Sequence, residues 1–216
     1  MSIQLTSQQT FLFIGDSITD AGRKDESYPH GSGYARMFSD ILSIREPAKR
    51  IHFINRGING HTVDDLRSRW SDHVLAHRPD QLVIKIGIND LNRWLQDPVI
   101  NEKQSPEQFR AIYDEIITIT QKELPDTRIL LVSPFYASLE TNPHAYRHKV
   151  LSHLPEYIQI VEDIARKHQL SFLNLHHEVQ TLLAAGLPPD VFAEDAVHPF
   201  SPGVLFIAEK IYSVLS

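Results

Sequence analysis

No cysteine occurs among the 216 residues of this chain, which excludes a disulfide framework, a thiolate nucleophile and a thiolate metal site. That absence leaves the compartment open. There is no basic block either: 21 Lys and Arg stand against 27 Asp and Glu, a formal net charge of −6. Nucleic acid is therefore not expected as a partner, because phosphate binding draws mainly on clustered cations. No run approaches the roughly 18 apolar residues that a membrane span requires. Residues 1–9 lack both a charged n-region and an apolar h-region, so no signal peptide is read there and the expected location is cytoplasmic. What is present is an ordinary mixture, 42% apolar and 22% charged, long enough to bury a full core as one domain over residues 1–216.

Short apolar runs alternate with amphipathic ones. Residues 11–14, 51–55, 82–86, 129–133 and 172–175 are rich in Phe, Ile, Leu and Val. Runs of this length suit strands of a parallel sheet covered on both faces. Between them, Val63, Leu66, Trp70 and Val74 form a helical stripe, opened by Thr62 with Asp65 three residues on, a capping-box pattern. Phe109, Ile112, Ile116 and Ile119 form a second, opened by Ser105-Pro106. Ile158, Val161, Ile164 and Ala165 form a third, and Val204, Ile207, Ile211 and Val214, after Ser201-Pro202, a fourth. The alternation predicts a three-layer α/β/α sandwich around a parallel sheet. The polar stretch 136–155, with Pro143 and Pro155, predicts a long loop or lid before a helix.

In such a sheet, ligands sit beyond the carboxyl ends of the strands. Three chemically loaded turns fall there: Gly15-Asp16-Ser17-Ile18-Thr19-Asp20, Gly57-Ile58-Asn59-Gly60-His61-Thr62 and Gly87-Ile88-Asn89-Asp90. A fourth, Asp195-Ala196-Val197-His198-Pro199, precedes the last helix. A lone serine after a strand is ordinarily a turn residue, and a lone histidine before proline a helix cap. Together the four turns supply what acyl transfer needs. Ser17 is the candidate nucleophile, His198 its base and Asp195 the group that orients and stabilises the imidazolium. The Ser17 and Gly60 N–H groups and the Asn89 side chain are candidates for the oxyanion hole, with Asp16 and Asp90 as supporting turn residues. Gly60 allows an unusual φ and a close backbone approach.

Other chemistries fit less well. The chain has 12 histidines, but neither His144 and His148 nor His176-His177 belongs to a His-Glu-x-x-His pattern, so no metal is expected. Gly31-Ser32-Gly33 follows no strand and is not a dinucleotide loop. Nor does the first turn carry the Gly-Lys-Ser/Thr of a phosphate loop or the second glycine of a Gly-x-Ser-x-Gly elbow. No cofactor is expected, since attack and proton transfer use side chains alone. Trp70 reads as core. Trp94, expected in a loop, is a candidate lining residue of the substrate pocket, as are Phe135 and Tyr136; Tyr28, His30 and Tyr34 are weaker candidates for its border.

The four turns resemble the four sequence blocks of the SGNH hydrolase superfamily, or GDSL esterases, in order and spacing from the first strand to the last helix. The first block has Ile18 where Leu is usual. The resemblance implies a flavodoxin-like sandwich with strand order 2-1-3-4-5, catalytic Ser17, Asp195 and His198, and an oxyanion hole completed by Gly60 and Asn89. Residues 13–20, 60–63, 86–90 and 133–136 are similar to the corresponding strings of bacterial acetylxylan esterases within the superfamily. That likeness implies a serine esterase removing short acyl groups, acetyl foremost, from a carbohydrate such as a xylo-oligosaccharide, and suggests a homo-oligomer. In those relatives a Trp precedes the catalytic Asp. Here it is Glu194, placed either to contact hydroxyls or to repel acidic substrates. Two alternatives stand beside this reading. A lysophospholipase or thioesterase of the same superfamily would need an apolar tunnel. A non-catalytic carbohydrate- or lipid-binding module would tolerate loss of Ser17, Asn89 or His198.

Overall fold

The computed structural model describes residues 8–215 apart from Glu26 and Tyr28. Tyr28 and residues 1–7 of the segment read for a signal peptide thus lie outside the described residues. The sheet is parallel and five-stranded, ordered β2-β1-β3-β4-β5, as the resemblance implied. Its strands are β1 (Thr10–Gly15), β2 (His52–Gly57), β3 (Gln81–Lys85), β4 (Arg128–Val132) and β5 (Ser171–Leu173).

Phe11 and Phe13 of β1 alternate with Leu12 and Ile14, so each face of this interior strand offers large apolar side chains. Phe11 and Phe13 meet Phe38 of α2 (Tyr34–Arg45), with ring centroids 5.5 and 5.3 Å away, and α2 packs in turn on α10 (Ser201–Leu215). On the other side, α3 (Val63–Ser68), α6 (Pro106–Glu123) and α7 (Tyr146–His168) pack in a row, with Phe109 against Tyr113 and Tyr157. The buried side chains form one continuous core.

Register is what positions the site. Gly15 pairs with both Gly57 and Lys85, so β1, β2 and β3 end level with one another at the same edge of the sheet. Ser17, Gly60 and Asn89 follow within a few residues of that edge.

Several local expectations change. The first stripe keeps its capping box, but its helix breaks at Arg69 (φ −117°, ψ 10°) into α3 and α4 (Trp70–His73). The break lets the Arg69 side chain turn inward, where it donates to the Gly15 and Arg56 carbonyls at 3.1 and 2.6 Å. Residues after Gly87 form a helix, α5 (Ile88–Gln96), rather than a loop, because Ile88, Leu91 and Leu95 share a buried face. Leu175 opens α8 (Leu175–Ala184) instead of ending a strand: the Asn174 side chain caps the His177 N–H.

The stretch 136–155 is no free lid. Phe135, Tyr136, Ala137 and Ser138 run buried across the sheet edge, and from Tyr146 the chain is already α7. Pro155 sits inside that helix on its exposed side, where the missing N–H and the ring face solvent while Leu154 and Tyr157 stay buried. Among the described residues no helix is long and apolar enough to cross a membrane.

Candidate active site

The β1 strand ends in Asp16, whose backbone is extended (φ −95°, ψ −153°) and whose Oδ1 accepts the Ile18 N–H at 3.0 Å. That cap starts α1 (Ser17–Asp20), a single turn with Ser17 at its first position. Asp16 Oδ2 faces the Lys85 ammonium at 3.4 Å, and both side chains are fully buried. Burial pushes the Lys85 ammonium down, and the Asp16 carboxylate opposes that shift. The turn is clamped by glycine on two sides. A Cβ on Gly57 would lie 2.1 Å from the Asp20 nitrogen, and one on Gly15 would lie 2.2 Å from the Lys85 carbonyl. Only hydrogen fits at either place.

After β2, the His61 N–H donates to the Ile58 carbonyl at 3.3 Å, closing a turn with Gly60 at φ +74°. The Gly60 N–H has no acceptor among the described residues, nor has that of Ser17. Asn89, on the first turn of α5, donates through Nδ2 to the His61 carbonyl at 3.0 Å, which leaves its second Nδ2 hydrogen free. Asp90, next to it, is fully buried and accepts the Val63 N–H at 3.0 Å, tying α5 to the turn that precedes α3. Burial raises its carboxyl to about 7 in spite of that hydrogen bond.

The fourth turn closes the arrangement. His198 Nδ1 lies 2.6 Å from Asp195 Oδ2, and its Nε2 lies 2.8 Å from Ser17 Oγ. With Nδ1 protonated, the imidazole donates to Asp195 and accepts from the serine hydroxyl. Asp195 Oδ1 also receives the Val197 and His198 N–H groups at 2.9 and 2.8 Å. Burial alone would raise the Asp195 carboxyl, but the donors from His198 and Val197 hold it below its ordinary value. The turn needs Ala196 at φ +68°, a left-handed conformation that Ala adopts at a cost of about 1–3 kcal/mol. Its neighbours fix it there: Ala196 N–H donates to the Ala193 carbonyl at 3.0 Å, and Ala137 N–H donates to the Ala196 carbonyl at 2.8 Å.

A serine hydroxyl, an imidazole and a carboxylate thus stand in one hydrogen-bonded line, and the Ser17 N–H, the Gly60 N–H and one Asn89 Nδ2 hydrogen are unclaimed among the described residues. Such an arrangement can attack an ester carbonyl and hold the oxyanion that forms. Comparison with known proteins agrees. Residues 13–203 match the GDSL-like lipase/acylhydrolase family. The chain belongs to that family. An acetylxylan esterase of Geobacillus stearothermophilus is 32% identical over 212 residues, covering 95% of this chain and 93% of the relative. The crystal structure of that organism's acetylxylan esterase superposes with a TM-score of 0.87 at 30% identity, over 99% of this chain and 97% of the other. An α/β-hydrolase from the metagenome of Lake Arreo, Spain, gives a TM-score of 0.86 at 27% identity, over 98% and 96%. As a member of this family the protein is a carboxylic ester hydrolase.

The remaining candidates divide. Glu194 lines a groove of about 450 Å³ together with Asp195, His198 and exposed Phe200, and its carbonyl accepts Arg147 Nη2 at 2.8 Å. A second cleft, of about 430 Å³, is also lined by His198, with Ser17, Ile18, Met37 and Val204. Trp94 lines neither of these clefts: on α5 it turns its ring edge to His153 of α7, with centroids 5.8 Å apart. Tyr136 and Phe135 are buried, Phe135 against Phe192 and the Lys85 ammonium. Tyr34 is also buried, its hydroxyl 2.7 Å from Thr19 Oγ1, and His30 faces a cavity along β2. Tyr34, Phe135 and Tyr136 are thus core positions, and Trp94 packs on α7, the helix of the third apolar stripe. Buried Lys85 was missed altogether. Its signal was there, a lysine between Ile84 and Ile86 at the end of an apolar strand. His144, His148, His176 and His177 do not converge, and among the described residues no group of metal-ligating side chains does.

Proposed function

We propose that this enzyme hydrolyses short acyl esters, acetyl foremost, on a hydroxylated carbohydrate such as a xylo-oligosaccharide, with Ser17, His198 and Asp195 as its catalytic triad. The continuous path Asp195–His198–Ser17, with distances of 2.6 and 2.8 Å, carries the reading. Ser17 Oγ attacks the acyl carbon while His198 Nε2 takes the hydroxyl proton and Asp195 stabilises the imidazolium. The tetrahedral oxyanion receives the Ser17 and Gly60 N–H groups and the free hydrogen on Asn89 Nδ2. His198 then protonates the departing sugar oxygen, leaving an acyl-serine. Water, deprotonated by the same imidazole, attacks that ester. Collapse returns the proton to Ser17 and releases acetate. No step calls for a cofactor.

The short acyl group and the sugar alcohol are supported by the kinship with the Geobacillus acetylxylan esterase. The grooves of about 450 and 430 Å³ that His198 lines give room for a small acyl group and a sugar unit. In this reading Glu194, at the lip of the first groove, meets the sugar hydroxyls. The enzyme acts in the cytoplasm on short oligosaccharides taken up by the cell, as a homo-oligomer.

The test is acetate release from acetylated xylo-oligosaccharides, run beside p-nitrophenyl esters of two to ten carbons. Release of acetate, with activity falling steeply beyond the shortest esters, is expected. Activity on long esters with none on the sugar would move the function to lipid or thioester hydrolysis.

A further inference from the structure

The chain is acidic overall, with a net charge of −6, yet a compact cationic cluster stands behind the nucleophile turn at the β2 edge of the sheet. A cavity of about 350 Å³ is lined there by Arg23, Lys24, Arg56, Asp72, His73 and His77. Part of this cluster has a structural purpose. Arg23 Nε donates to the Gly57 carbonyl at 2.5 Å, and Arg69, behind the cavity wall, reaches the Gly15 and Arg56 carbonyls and His73 Nδ1.

That purpose leaves most of the charge unused. Asp20 Oδ1 accepts the Arg23 backbone N–H at 3.2 Å but lies 3.9 Å from its Nε, and the two Arg23 Nη atoms have no hydrogen-bond acceptor among the described residues. Arg56 turns Nε and Nη2 onto His77 Nε2, at 3.2 and 2.9 Å, and Nη1 onto the Asn55 carbonyl at 3.3 Å. Among the described residues no carboxylate lies within 4.0 Å of Arg56, Arg69 or Lys24, and Asp72 at the mouth forms no ion pair.

The two imidazoles accept from guanidinium groups, so they are neutral and keep their remaining N–H as donors. Burial, then the charges of Arg69, Arg56 and Arg23, press His73 down to about 4. Burial and Arg56 lower His77 in the same way. Apart from Asp72, the side chains on these walls are therefore donors or cations, and Asp20, 3.9 Å from Arg23, is the only carboxylate among the described residues within 4.0 Å of the guanidinium groups of Arg23, Arg56 and Arg69. Forked guanidinium donors beside an ammonium match the oxygens of a phosphate or carboxylate group.

We infer that this cavity is an oxyanion-binding site, taking a phosphate or carboxylate group between Arg23, Lys24 and Arg56. Its occupant is coupled to the site at Ser17. Arg23 ends on the carbonyl of Gly57, and Arg69 ends on that of Gly15, two residues before the nucleophile. The anion comes either from solution, as inorganic phosphate, or on the substrate, as a uronate substituent. The second source rests on the esterase reading and the first does not.

Calorimetric titration of the full chain with inorganic phosphate and with glucuronate, each against chloride at equal ionic strength, tests the site. Saturable binding of at least one is expected, weakened about tenfold or more by Arg56→Gln and by Lys24→Gln. Lys24 is exposed on a turn, so loss of binding in that variant reports the site rather than the fold. Binding of phosphate with altered turnover of neutral esters assigns the anion to solution. Binding of glucuronate, with KM raised by Lys24→Gln only for uronate-bearing esters, assigns it to the substrate. If neither anion binds better than chloride, or both variants bind as the parent does, the inference is wrong. Neither result would touch the triad, whose own test is acetate release.

Discussion

Asp16, Thr19, Lys85 and Asp90, beneath and beside Ser17, are buried, whereas Asp195 and His198 leave 54 and 55% of their side chains in solvent. The proposed nucleophile is held by a buried ion pair, two glycine contacts that admit no Cβ, and strands ending in register. The proposed base and its partner hang on a surface turn, fixed by an Ala in a left-handed conformation and by bonds from Ala137 and Arg147. In the first region the fold and the site are one structure. In the second the site is attached to the fold at a few points. Substitutions should therefore separate: those near Asp16 should cost stability along with activity, and those at Asp195 and His198 activity alone.

The largest effect should come from the exposed side. Asp195→Asn preserves the shape of the turn but favours the wrong imidazole tautomer, and kcat should fall by about 10⁴. Thermal unfolding should move little, because the lost carboxylate is more than half in water, where pairs contribute little to stability. Paired kinetics and melting curves check this. A large drop in Tm would mean that the surface turn is integral to the core after all.

Lys85→Met is the converse. It leaves the Asp16 carboxylate buried without its cation, which typically costs about 3–5 kcal/mol. Urea unfolding should reveal a loss of that order, and the variant's activity should fall because Asp16 caps the turn that begins with Ser17. An unchanged midpoint would show that the pair is dispensable and that the glycine contacts alone hold the turn.

These two regions were unequally legible in the sequence. Ser17, Asn89, Asp195 and His198 stand in short local strings whose residue types declare a chemistry, and the strand order followed from the family those strings resemble. Lys85 declares nothing by itself. Its meaning depends on Asp16, 69 positions away, and on the Phe135 ring 5.3 Å above it. Trp94 was misplaced because Gly87 and Asn89 read as turn residues, while the buried faces of Leu91 and Leu95 that make α5 a helix appear only against α7. Pro155 likewise reads as a break, and only its position on the outer side of α7 explains why the helix continues. Residues that act within a few positions of one another can be read locally. Those that act through packing across the sheet cannot.

Asn89 stands between the two extremes, half-buried and tied to the His61 carbonyl. Asn89→Ala removes one proposed oxyanion donor without emptying a core position. Its kcat should fall by about 10²–10³ with KM near that of the parent. A rise in KM at unchanged kcat would place Asn89 in ground-state binding, and an unchanged rate would remove it from the oxyanion hole.

The last effect concerns the buried side and pH. Burial raises the Asp90 carboxyl from 3.8 to about 7, so the folded state holds this proton more tightly than the unfolded one. Its contribution to stability is therefore fully present below the unfolded value and is lost as pH rises toward 7, by up to about 1.4 kcal/mol per pH unit. Asp195 runs the other way: its lowered carboxyl adds stability above the unfolded value and loses it as pH falls, weakly, because it is exposed. Asp90→Asn keeps an acceptor for the Val63 N–H and has no proton to lose, so its stability should decline less than that of the parent between pH 4 and 7. Urea midpoints of the two proteins across that range isolate the single group. Parallel profiles would mean that Asp90 ionises without penalty, its Oδ2, which has no hydrogen-bond partner among the described residues, being hydrated from within. The ground beneath the nucleophile would then be wetter than its burial implies, and the contrast with the Asp195 turn correspondingly smaller.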